Sequence, residues 1–180
     1  MVKTTIKLRV CSTLALALLG SPSFAEPLHV SWTDLQEGRP QSCSAVLETY
    51  LSNPNCTGKD VSDRMLSMQL AECTPGNSDL DGVTVRIAGY AHPVEFEFRN
   101  VRRFLLIPPM RQDCRHPPPP LPDQVITVEY AEGIDITADP VWITGRLQIR
   151  PNGNEIAPSA YRIKAVNVTT ATIPDVTTSK

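Results

Sequence analysis

The sequence predicts a mainly β fold, a small OB-like five-stranded barrel behind an N-terminal helical cap, and three observations carry that prediction. From Val83 onward, apolar and polar residues alternate in short runs, the period-two signature of strands with one buried face. Five or six such runs fit into about 90 residues, the density of a small closed barrel. Gly89 and Gly145 fall inside runs, where a strand has to bend sharply. A small β-sandwich is the alternative packing of the same strands.

The elements follow in chain order. Residues 1–25 read as a secretory signal peptide, with Lys3, Lys7 and Arg9 ahead of a short apolar run from Val10 to Leu19, and Ser23-Phe24-Ala25 as the cleavage site. That run is too short for a bilayer span, and no later segment approaches the ~20 apolar residues a membrane helix needs. The expected mature protein is periplasmic, starts at Glu26 and has no transmembrane segment. Cys11 lies at the front of the apolar run, with Arg9 two residues before it, whereas a lipid-modified cysteine follows such a run.

Residues 26–79 carry helical signals and form the cap. Ser31 and Asp34 have capping-box spacing. Ser44 starts a helix bearing Val46, Leu47, Tyr50 and Leu51, and Asp60 and Asp63 precede one bearing Met65, Met68 and Leu70. The run Thr74-Pro75-Gly76-Asn77-Ser78 reads as a hinge or linker. The barrel domain spans residues 80–170. Its strands are expected at Val83–Ala88, resuming at Val94, Phe96 and Phe98, then at Arg103–Ile107, Val125–Tyr130, Val141–Ile149 and Tyr161–Val168. Alternation places Val85, Ile87, Phe104, Leu106, Val128, Ile143, Leu147 and Ile163 inside. Residues 171–180, at the end of a Thr-rich stretch, read as a flexible tail.

Charge and cysteines narrow the function classes. Loss of residues 1–25 takes the formal charge from −2 to −5, which argues against nucleic acid as a partner. Four cysteines remain, Cys43, Cys56, Cys73 and Cys114, an even number that in an exported protein reads as two disulfides with three connectivities open. The short loop through Asn53-Pro54-Asn55 favours Cys43 with Cys56. Cys73 and Cys114 then form the second bridge or stay free.

The stretch from Phe104 to Gln124 holds the candidate site. An apolar strand runs into Cys114 and His116, followed by Pro117 to Pro120, whose fixed φ restricts the backbone. Thiolate and imidazole are preferred zinc ligands, and spacing by one residue lets both reach one ion. Two ligands do not complete a site, and His92, Asp113 and Cys73 are the candidates to add. The plainer readings are that Cys114 is half of a disulfide and His116 packs beside the prolines. Arg111 and Arg115 flank the pair and, with Arg99, Arg102 and Arg103, form a basic cluster suited to an anionic ligand, or equally to a solvated barrel edge. Cysteine catalysis would need a base and an electropositive pocket, with His116 and the flanking arginines in those parts. No catalytic set is otherwise complete. Trp32 and Trp142 read as core or lid packing.

Leu80-Asp81-Gly82-x-x-Val85-Arg86-Ile87-x-Gly89-Tyr90, Phe104-Leu105-Leu106-Ile107-Pro108, Cys114-x-His116-x-Pro-Pro-Pro, Pro140-Val141-Trp142-x-x-Gly145 and Ala160-Tyr161-Arg162 occur in a recognisable order. Over residues 80–168 the chain resembles a bacterial exported family, domain of unknown function 3299, and Ser31-Trp32-x-Asp34-Leu35 resembles that family's opening. The resemblance implies an envelope protein, often encoded beside ABC-type permease components and in some genomes under zinc control. The resulting expectation is a non-enzymatic binding or accessory protein for metal handling or a permease complex, with zinc as the candidate cofactor. The rival expectations are a thiol-dependent envelope enzyme or redox protein using Cys114, and a structural envelope protein.

Overall fold

Two backbone periods, one helical and one extended, meet near residue 80 and produce a cap and a barrel. The computed structural model describes residues 26–51, 64–109, 119–152 and 158–172. Strand β1 (Leu28–His29) comes first, followed by helices α1 (Trp32–Gln36), α2 (Ser44–Leu51) and α3 (Arg64–Glu72). Strands β2 (Thr84–Pro93), β3 (Val101–Ile107), β4 (Ile126–Ile134), β5 (Val141–Asn152) and β6 (Ser159–Thr170) complete the fold. Among the described residues no helix is long and apolar enough to cross a membrane.

The sheet runs β1-β2-β3-β4-β6-β5, and a further β2–β5 pairing closes the last five strands into a barrel with β1 added in parallel beside β2. Within the barrel β4 and β6 run parallel and every other neighbour is antiparallel, the mixed order of an OB-like barrel. Strand β2 makes closure possible by serving two neighbours: Thr84–Gly89 pair with β5, and Tyr90–Pro93 pair with β3. The change of partner falls at Gly89, where a Cβ would lie 2.7 Å from the Ile107 carbonyl oxygen and 2.9 Å from the Trp32 ring. Only a residue without a side chain lets the strand pass there. Gly145 sits at a register shift between β5 and β6, and a Cβ on it would strike the Lys164 carbonyl oxygen. Both glycines are therefore the bends their sequence positions imply.

The eight residues expected inside, Val85, Ile87, Phe104, Leu106, Val128, Ile143, Leu147 and Ile163, are each no more than 1% exposed. Tyr161 and Ile126 join them in one core. The cap begins as expected: the Ser31 hydroxyl accepts from the Asp34 N–H at 3.2 Å, and Asp34 accepts from the Ser31 N–H at 2.6 Å. Trp32 is buried over the barrel and donates its ring N–H to the Ala88 carbonyl at 2.8 Å. Helix α3 carries a buried Leu70 and exposed Met65 and Met68, while Asp60 and Asp63 lie outside the described residues.

Two expectations are corrected. Strand pairing does not resume at Val94, because β2 ends at Pro93 and residues 94–100 form a loop with Phe96 fully exposed and Phe98 more than half exposed. Asn100 takes a left-handed φ of 49° there and donates its N–H to Asp135, which turns the chain into β3. Of the hinge or linker expected at Thr74–Ser78, the structure shows the linker, irregular chain leading from α3 toward β2, and corrects the hinge: Thr74 and Asn77 are buried, and Asn77 bonds to the Asp34 carbonyl and to Tyr161.

Candidate functional site

The predicted residues Arg111, Cys114, Arg115 and His116 lie outside the described residues, in the connection between β3 and β4. The described limbs show how that connection is held. Strand β3 delivers Ile107, buried, and then Pro108-Pro109. On the return limb, the Tyr50 hydroxyl of α2 donates to the Pro119 carbonyl at 3.0 Å. Leu121 is 1% exposed and packs with Leu47, Tyr50, Leu70 and Cys73. A 3-10 turn at Pro122–Gln124 follows, tied by the Gln124 N–H to the Leu121 carbonyl and by the Leu121 N–H to the Gln124 side chain.

Asp123 anchors this turn. Its carboxylate is wholly buried and accepts two bonds from the Arg39 guanidinium, at 2.5 Å from Nε and 2.9 Å from Nη2. The paired fork matches the two carboxylate oxygens, which is what allows a charge to be buried at this depth. Beside it the Tyr161 hydroxyl donates to the Leu35 carbonyl at 2.6 Å and accepts from the Asn77 N–H at 2.5 Å. Burial pushes the Tyr161 pKa up to about 12, since the phenolate would lose its hydration. Cap, return limb and β6 are thus joined by polar bonds inside an apolar base. Burial also raises the Tyr50 pKa, because a phenolate there would lose hydration.

The cysteine pairing is corrected. Cys43 bonds to Cys73, with Cα atoms 5.6 Å apart, and not to Cys56, which lies outside the described residues. The physical reason is α2: Cys43 stands immediately before its first residue, so eight helical residues, about 12 Å of rise, carry the chain away from it before residue 52. Cys73 follows the end of α3, and the fold-back of one helix on the other brings the two together. The bond removes Cys73 from the candidate zinc ligands. His92 stands exposed on β2 opposite Leu105. Among the described residues no three His, Cys, Asp or Glu side chains are grouped to hold a metal ion.

A second place was not legible beforehand. The loop 94–100 and the loop 135–140 meet at the barrel end away from the β3–β4 connection, where the Ile136 N–H donates to the Phe98 carbonyl at 2.8 Å. Between them lies a cleft of about 460 Å³ walled by Tyr90, Pro93 and Phe98 on one side and Ile136 to Ala138 on the other, with His92 at its edge. Alternation of Glu95, Phe96, Glu97 and Phe98 imitates a strand, and this hid the loop in the sequence. The signal that could have exposed it is Pro93, which has no N–H to extend a ladder. Arg99, Arg102 and Arg103 are exposed nearby, and Arg103 reaches Glu95 only at 4.0 Å, a surface pair of little energetic weight. Trp142 lies half-buried on the outer wall, with the Arg86 guanidinium 4.4 Å over its ring and His29 tilted beside it.

The family model described as a protein of unknown function, DUF3299, matches residues 32–170. A crystal structure of a DUF3299 family protein from Pseudomonas aeruginosa PAO1 is similar to this chain, with 26% identity and a TM-score of 0.57, covering 82% of this chain and 97% of that one. No curated protein matches.

Proposed function

The chain belongs to the DUF3299 family, whose function is unknown, and on that premise we propose that it is an exported, periplasmic, non-enzymatic binding or accessory protein whose ligand-facing element is the β3–β4 connection. One observation carries the reading: the return limb is fixed at Pro119 by Tyr50, at Leu121 by the apolar cluster and at Asp123 by Arg39. A surface connection does not need three anchors for stability. Anchoring lowers the ordering cost of whatever Cys114 and His116 bind. The ligand we propose is zinc, held by the Cys114 thiolate and the His116 imidazole, with Arg111 and Arg115 available to an anionic group that arrives with it. A permease component of the ABC type is the proposed partner.

A second reading is favoured by the Cys43–Cys73 bond, which leaves Cys56 and Cys114 as the remaining cysteines beyond residue 25. Tyr50, one residue from the end of α2, touches Pro119, so the segments carrying Cys56 and Cys114 depart from adjacent points. In that case the motif is a disulfide clasp. Thiol counting with metal analysis of the natively purified protein, followed by zinc titration calorimetry of the wild type, Cys114→Ser and His116→Ala, tests both. Zinc reading: binding that weakens in each variant and as pH falls through the histidine range. An oxidised Cys114 linked to Cys56, or zinc affinity unchanged in both variants, refutes it.

A further inference from the structure

The cleft at the far barrel end has no part in the reading above, and its surroundings say what fills it. We propose that it is a binding site for an extended, proline-bearing apolar segment, and that its resident occupant is this chain's own Ile173-Pro174-Asp175-Val176. The chain is already at the cleft when it leaves β6. Ala171 is 6% exposed and packs with Ala88, Trp142 and Tyr90, the last of which is a wall of the cleft. Its N–H donates to the Pro140 carbonyl at 2.9 Å, at the end of the loop whose Ile136 to Ala138 form the other wall. The five residues that follow Ala171, Thr172 to Val176, reach up to about 17 Å from it when extended.

The chemistry agrees with the placement. Ile173 and Val176 are apolar, and Pro174 fixes its own φ and disfavours helix at Ile173, so the segment loses little entropy on docking. The lining sets Tyr90, Pro93, Phe98 and Ile136 beside the polar Thr137 and His92, and aromatic-lined grooves are surfaces on which extended proline-bearing segments dock in other folds. The size of the cleft falls within the ~300–1,000 Å³ of ligand sites. The Phe98 carbonyl accepts from the Ile136 N–H and the Asn100 N–H donates to Asp135, so the backbone of the two loops is held together beside the cleft. A Cβ at Gly133, near the end of β4, would also strike the Asn100 side chain, so the 94–100 loop is fitted closely against that strand end.

The test uses the mature chain with p-benzoylphenylalanine in place of Val176. Irradiation is expected to give cross-links within one chain to residues 90–98 or 134–140, lost in Phe98→Asp. Cross-links into a second chain alone, or to no cleft residue, overturn the proposal. Independently, the double variant Ile173→Asp, Val176→Asp is expected to speed exchange of the hydrogen-bonded Ile136 and Ala171 amides by at least ~10-fold, since local opening sets that rate. A peptide of residues 172–180 added in trans should restore slow exchange. Equal exchange in wild type and double variant overturns the inference, whatever the cross-linking shows.

Discussion

Arg39→Ala is the sharpest test of how the cap is joined to the barrel. Asp123 is wholly buried, Arg39 is 17% exposed, and the two share a pair of bonds at 2.5 and 2.9 Å. Removing the guanidinium leaves a carboxylate with no compensating charge at a depth where water does not reach it, a loss of ~3–5 kcal/mol. For a domain of this size, that corresponds to a fall in Tm of roughly 6–20 °C. The pair itself contributes much less than its breakage costs, because desolvating both charges offsets most of their attraction. The double variant Arg39→Met, Asp123→Leu should therefore recover most of the stability lost by Arg39→Ala. Urea unfolding followed by tryptophan fluorescence measures both variants at pH 7, with the slope unchanged if the denatured state is unaltered. A cost below ~1 kcal/mol for Arg39→Ala would place the pair among surface salt bridges and refute the anchoring of the β3–β4 return limb.

Leu106→Ala and Ile87→Ala should each cost ~2–5 kcal/mol by chemical denaturation, and a cost near zero at both would mean that the barrel interior is misassigned. Peptide mapping without reduction should recover Cys43 linked to Cys73, and their joint replacement by serine should cost ~2–4 kcal/mol, the usual range for closing a loop of this length. Tyr161 titrates near 12 in the fold against an unfolded value of about 10, so the folded state holds its proton longer than the unfolded state. Its contribution is full below pH ~10 and is lost as pH rises from there through 12. Alkaline denaturation curves of Tyr161→Phe should lack that descent, and a descent of equal size would exclude Tyr161 as its source. N-terminal sequencing of protein from the envelope fraction should begin at Glu26, and a retained Met1 would defeat the export reading.

The barrel was legible because its strands are half-buried and alternate, so phase alone sorted Val85 and Ile87 from Thr84 and Arg86, and Ile143 from Thr144. The two bending glycines were legible because a strand tolerates glycine only for a reason. What failed did so where two physical causes leave one pattern. Glu95 to Phe98 alternates as a strand does, but Pro93 and the left-handed Asn100 break the ladder on either side. Cys43 is close to Cys56 in sequence, but an intervening helix separates neighbours and joins its far end to Cys73. Asp123 carried no mark of burial, since its partner Arg39 lies 84 positions away. Tyr161 stood in the resemblance, yet its bond to Leu35 spans 126 positions and no local pattern encodes it.

That last bond has a consequence for how the protein comes to exist. The seam between β2 and β5 and the hydroxyl that ties Leu35 to β6 both wait for the final third of the chain. Contacts of such long range are entropically expensive to form, and barrels built from them fold slowly. The helical pair is local in sequence, but Phe104, Leu106 and Val128 share their core with Tyr161 and Ile163, more than 30 positions further on. A nascent chain of this sequence therefore passes through an interval with a wet core and unpaired strand edges, the interval in which chaperones act and aggregation competes.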